Sequence, residues 1–115
     1  MRVTLHSLLR EGREVDYEVA HRRVPDDLLA ALRRVGIREW AIWRSGTNLF
    51  HVVDCDDFEA ALRQLADDPV DQRWQETMSA FVEGFARNPD GTAGMALRHV
   101  WTLSEQAHQT ETDGS

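Results

Sequence analysis

Two apolar, aromatic-rich runs, IREWAIWR at 37–44 and NLFHVVDC at 48–55, are separated only by Ser45-Gly46-Thr47. A short glycine-containing connection between two such runs reads as a β-hairpin. Successive side chains of a strand point to opposite faces, so Trp40 and Ile42 share one face while Glu39, Ala41 and Trp43 share the other. In the second run His51 and Val53 oppose Phe50 and Val52. Apolar residues therefore stand on both faces, and both need cover. Helices can cover one; the other demands something more.

The flanking sequence supplies the helices. RVTLHSLL (2–9) mixes β-branched and apolar residues as a first strand does, and Arg10-Glu11-Gly12 breaks it. Val15, Val19, Leu28, Leu29, Leu32 and Val35 then fit helical spacing on either side of Pro25. That proline disfavours the α conformation at Val24 and removes a backbone donor, which predicts a break or a kink there. Asp26 and Asp27 suit the first turn of the second piece, and Gly36 suits its C-cap. Asp56-Asp57 opens another helix, with Phe58, Ala61, Leu62 and Leu65 at i, i+3, i+4 and i+7. Past Pro69, VDQRWQETMSAFVEGF (70–85) reads as a further amphipathic segment carrying Val70, Trp74, Met78, Phe81 and Phe85. NPDGTAG (88–94) has loop composition, and MALRHVWTL (95–103) reads as the last strand.

The resulting order is strand, helix, strand, strand, helix, strand. This is the ferredoxin-like βαββαβ pattern, an α+β fold with an antiparallel sheet and helices on one face. Two such sheets meeting face to face in a homodimer would cover the remaining face and could enclose a cavity, a dimeric α+β barrel. With 115 residues the chain is the size of a single domain, expected over 1–104, followed by a disordered polar tail at 105–115.

Composition removes several function classes. A formal net charge of −7 argues against a nucleic-acid partner, which needs a basic patch. No apolar run of membrane-spanning length occurs, and the start MRVTLHSLLREG has no signal-peptide pattern, so a cytoplasmic protein is expected. Cys55 is the only cysteine and two aspartates follow it; nearby negative charge blunts a thiol nucleophile. P-loop, GxGxxG and GxSxG motifs are absent. His6, His21, His51, His99 and His108 are scattered without HExxH or His-x-His spacing. Sheet pairing could gather His6, His51 and His99, but isolated strand histidines are more often simply hydrogen-bonded, and no metal site is expected.

Tyr17 and His21 remain, four apart on one helical face, together with tryptophans at 40, 43, 74 and 101. Core packing can claim Trp43 and Trp101. Aromatic rings are also surfaces on which the apolar faces of sugars lie, and a cavity with aromatic walls, a tyrosine and a histidine suits a small polar ligand. Histidine, with an ordinary pKa of about 6.5, serves such a site as acid and base.

In order and spacing the chain resembles the L-rhamnose mutarotases. The features are Tyr-x3-His at Tyr17 and His21, Leu28, Gly36, EWAIW at 39–43, NLF at 48–50, DPVDQRW at 68–74 with Met78, NPDG at 88–91, and LRHVWTL at 97–103. The resemblance runs nearly to Ser104. It implies a small homodimer that interconverts the α and β anomers of a 6-deoxyhexose, a reaction that requires no cofactor or metal. His21 matches the family's proton donor, and Tyr17 a sugar contact. Trp40 falls where the family has a second aromatic, typically tyrosine, and Trp74-Gln75 falls where it has paired tryptophans. The polar handle at 40 thus becomes an indole donor, and an aromatic wall at 75 becomes an amide. Two rival readings share the architecture: a non-catalytic barrel binding a small ligand or a protein, and a small cofactor-free monooxygenase.

Overall fold

The computed structural model describes residues 1–86 and 96–107. The element order is β1 (Arg2–Leu9), α1 (Glu14–His21), α2 (Asp26–Arg34), β2 (Ile37–Ser45), β3 (Asn48–Cys55), α3 (Phe58–Ala66), α4 (Pro69–Met78) and β4 (Val82–Phe85). The strands form one antiparallel sheet in the order β2-β3-β1-β4, the ferredoxin-like arrangement.

Local chemistry sets the helix boundaries. Pro25, with ψ near 140°, holds the break between α1 and α2, and Asp26 and Asp27 then oppose the dipole of α2. The Asp57 side chain accepts from the Ala60 N–H at 3.1 Å and so caps α3. Asp68 accepts from the Val70 N–H at 2.9 Å, with Pro69 in the first turn of α4.

Gly36 leaves α2 with φ +90, and an added Cβ would stand 2.9 Å from Asp56 Oδ2. That carboxylate can swing away, so the backbone conformation is the larger obstacle to any side chain. Gly36→Ala is expected to lower unfolding stability by about 1–2 kcal/mol. A urea midpoint equal to that of the native chain would contradict this.

The hairpin register follows the alternation of its sequence. Trp40 pairs with Val53 and Ile42 with His51, while Leu5 pairs with His51 from the other side. All four helices cover the face that carries these residues. One core cluster joins Leu5, Val53, Ile37 and Cys55 to Ala31, Phe58, Ala61 and Leu65; a second joins Leu9 and Leu49 to Tyr17 and Met78. Fully buried Cys55 belongs to the first, and burial pushes its thiol pKa up.

The opposite face carries Thr4, His6, Leu8, Phe50 and Val52, half-buried, with Trp43 60% exposed. The outermost strand on one side is β2. Its Arg38 is paired with Asp54 and Asp56, and its Arg44 donates to Glu18 at 2.8 Å.

Two expectations for the C-terminal part are corrected. The amphipathic segment read over 70–85 is helical only to Met78; a turn follows, and Val82–Phe85 is the fourth strand, paired with Ser7–Leu9. Phe81 and Phe85 are four apart, as on a helix, but Gly84 lies between them with φ +147 and belongs to extended chain. The run at 95–103 is not the last strand. Ala96 makes an isolated bridge to Leu5 and the Leu97 N–H donates to the Thr4 carbonyl at 2.6 Å, after which the chain leaves the sheet. The edge of β1 beyond Ser7 is already taken by β4, so the run has only a short edge to join. Residues 103–107 form a helical turn. Met95, the NPDG motif at 88–91 and residues 108–115 lie outside the described residues.

Candidate functional site

Between the helices and the sheet lies a cavity of about 690 Å³, within the roughly 300–1,000 Å³ usual for small-molecule sites. Tyr17, His21, Trp40, Trp74 and Gln75, drawn from α1, β2 and α4, all line it.

The pair on α1 is built by helical spacing. The rings of Tyr17 and His21 lie 4.1 Å apart, and Trp74 of α4 meets His21 edge-on at 5.2 Å. His21 Nδ1 is 3.0 Å from the Tyr17 carbonyl oxygen. A carbonyl only accepts, so Nδ1 carries hydrogen and donates. The neutral ring therefore keeps its lone pair on Nε2, which has no hydrogen-bond partner among the described residues. Tyr17 is buried, and burial pushes its phenol up to about 12. It stays protonated through the neutral range and serves as a donor, not a base.

Trp40 differs from what its residue type alone suggests. The Trp40 indole N–H is already committed, 3.1 Å from His51 Nδ1, so its ring and not its N–H is free for a ligand. Gln75 is exposed at the mouth and reaches Asp71 only at 3.4 Å, so its amide can turn to a ligand. Burial raises the pKa of Asp71, which also lines the cavity.

Spacing within one element brings out neither Ser7 nor His51 of the cavity; the sequence offers His51 only as a metal candidate with His6 and His99. The strand register separates His6 from His51: His6 stacks on Phe50 at 4.7 Å on the far face, while His51 faces the cavity. Among the described residues no group of three or more His, Cys, Asp or Glu could hold a metal ion.

A ferredoxin-like sheet roofed by helices, with an uncommitted histidine nitrogen among aromatic walls, defines a small-ligand protein equipped for proton transfer. The L-rhamnose mutarotase family model matches residues 2–103, and the chain belongs to the L-rhamnose mutarotase family. Its activity is accordingly that of a sugar mutarotase, an isomerase. Among solved structures, L-rhamnose mutarotase FA22100 from Formosa agariphila is similar with TM-score 0.71 and 20% identity, covering 90% of this chain and 98% of that one. Tetracenomycin F2 cyclase from Streptomyces glaucescens, a type-II polyketide cyclase, gives TM-score 0.56 at 18% identity over 90% and 98%. A NIPSNAP domain protein from Burkholderia xenovorans gives 0.54 at 16% over 90% and 96%. At these identities the three likenesses bear on the fold. A comparison with curated proteins gives no match.

Proposed function

We propose that this chain interconverts the α and β anomers of L-rhamnose or a related 6-deoxyhexose, with His21 as the residue that moves the proton. The observation that carries the assignment of His21 is the bond from its Nδ1 to the Tyr17 carbonyl, which leaves Nε2 for the ligand. Ring opening breaks the bond between the anomeric carbon and the ring oxygen. The anomeric hydroxyl loses a proton and becomes a carbonyl oxygen, and the ring oxygen gains one. Neutral His21 takes the first proton at Nε2 and, as imidazolium, delivers it to the ring oxygen. After rotation of the open-chain aldehyde, closure reverses both transfers on the other carbonyl face. No electrons change hands. Tyr17 orients the sugar by donating a hydrogen bond, Trp40 and Trp74 receive its apolar faces, and Gln75 binds a hydroxyl. Saturation-transfer NMR on L-rhamnose and L-fucose tests this: exchange faster than in buffer is expected for at least one, and buffer rates for both would reject these substrates.

The working form is a homodimer joined through the face opposite the helices. The support is physical. Trp43 at 60% exposure stands beside half-buried Phe50 and Val52 on that face. A monomer would leave this apolar surface in water. Sedimentation equilibrium should give twice the chain mass, with Trp43→Lys shifted toward the monomer. A monomeric native protein at micromolar concentration would sink the dimer. The same reading places the enzyme in the cytoplasm, where one buried thiol persists unpaired; no helix among the described residues is long and apolar enough to cross a membrane.

A further inference from the structure

One polar line crosses the helix-facing side of the sheet. Ile42 and Leu5 both pair with His51, which makes Trp40 of β2, His51 of β3 and Ser7 of β1 diagonal neighbours on the same face. The Trp40 Nε1–H lies 3.1 Å from His51 Nδ1, and His51 Nε2 lies 2.8 Å from Ser7 Oγ. Ser7 is 4% exposed and His51 7%, and both line the cavity.

The directions of these bonds follow from the first donor. An indole N–H can only donate, so Nδ1 of His51 accepts and the single hydrogen of the neutral ring sits on Nε2. That hydrogen goes to Ser7 Oγ. The serine's own hydroxyl hydrogen is then left without an acceptor among the described residues. This order also rules out an activated serine, because a histidine serving as base to a hydroxyl needs its lone pair on Nε2. Burial first, then the charges of His21 and His6, pulls the His51 pKa down to about 4, which keeps the ring neutral near pH 7.

We propose that Ser7 is a ligand-binding residue of the cavity, giving its hydroxyl hydrogen to a sugar oxygen, and that His51 and Trp40 are positioning residues that fix its direction. The proposal rests on the sugar-site reading and deepens it. Ser7 stands between Leu49 of β3 and Phe85 of β4 in the register, with Leu5 two residues away along β1 on the same face. A ligand without an oxygen at this point would bury an unpaired donor. One that carries an oxygen there gains a hydrogen bond, and sites of this kind discriminate strongly by hydroxyl pattern.

Methyl α-L-rhamnopyranoside is the probe, since its locked anomeric centre allows binding without turnover. Ser7→Ala is expected to weaken its binding about tenfold and to raise KM for L-rhamnose by a similar factor, with kcat changed by less than about twofold. Ser7→Thr keeps the hydroxyl and should recover most of the affinity. Against a series of monodeoxy rhamnosides, the Ser7→Ala loss should vanish for the sugar that lacks the paired oxygen. In ¹⁵N spectra of the native protein, His51 should show a protonated Nε2 and a bare Nδ1. A folded Ser7→Ala variant that binds the rhamnoside as well as the native protein overturns the proposal, as does a proton on Nδ1. Native protein that binds the rhamnoside without speeding anomer exchange refutes the mutarotase reading alone, and the affinities then decide Ser7. Native protein that neither binds the rhamnoside nor speeds anomer exchange of L-rhamnose or L-fucose refutes both. Where only L-fucose exchanges, methyl α-L-fucopyranoside takes the rhamnoside's place in the same comparison.

Discussion

His21→Ala is expected to cut the acceleration of L-rhamnose anomer exchange by about 10²–10⁴-fold, the usual worth of a positioned acid or base. The loss belongs on kcat, because the ring acts on protons that move only in the transition state. The fold should survive the change. His21 is the last residue of α1 and only half-buried, and its one hydrogen bond is to the carbonyl four residues earlier. Tyr17→Phe makes the contrast. Its phenol stays protonated to about pH 12, so it supplies a hydrogen bond and not a base. Losing that bond should cost only about tenfold, and largely in KM. Saturation-transfer NMR on both variants, alongside their melting curves, checks the pair. A folded His21→Ala protein that exchanges anomers at the native rate would remove His21 from the chemistry.

The second large effect is on stability in acid, and His51 is its source. The ring titrates at about 4 in the folded chain, against an ordinary value of 6.5, because burial disfavours its charge. Between those values the unfolded chain holds a proton that the folded chain lacks. Stability contributed by the neutral ring is therefore complete above about pH 6.5, drains as the pH falls toward 4, and is gone below it. The full span is at most about 3 kcal/mol. Urea unfolding of native protein between pH 7 and pH 4 should show this fall, and His51→Phe should flatten it. Should that variant not fold, the ring shifts of native His51 give the same answer directly. A midpoint near 6.5 would end the argument.

Much of the architecture was legible because long alternating runs leave little choice. Eight residues from Asn48 to Cys55 fix which side chains face the helices, and a one-residue slip would have put Phe50 and Val52 there instead. Pro25 marked the break between α1 and α2 for a reason local to one peptide unit. The C-terminal part misled because four residues are too few to display an alternation. Val82–Phe85 carries phenylalanine spacing that also suits a helix, whereas MALRHVWTL has a strand's composition but a β1 edge that β4 already occupies beyond Ser7. The cavity divides the same way. Tyr17 and His21 lie within one element, and spacing alone brings them together. Ser7 meets His51, and His51 meets Trp40, only when three strands sit in one register, which no single stretch of sequence displays.

The outer strand β2 bears on how copies of this chain can add to one another. A bare strand edge invites another strand to extend the sheet, and that addition repeats without limit. On β2, Arg38 is held by two aspartates and Arg44 by Glu18, so an incoming strand meets fixed charge along its route. The sheet's far face sets Phe50, Val52 and Trp43 beside Glu39 and Asp54 at one end, and contact there is self-limiting, since two faces once joined leave nothing for a third. The charges along β2 thus favour a closed pair over a growing fibre.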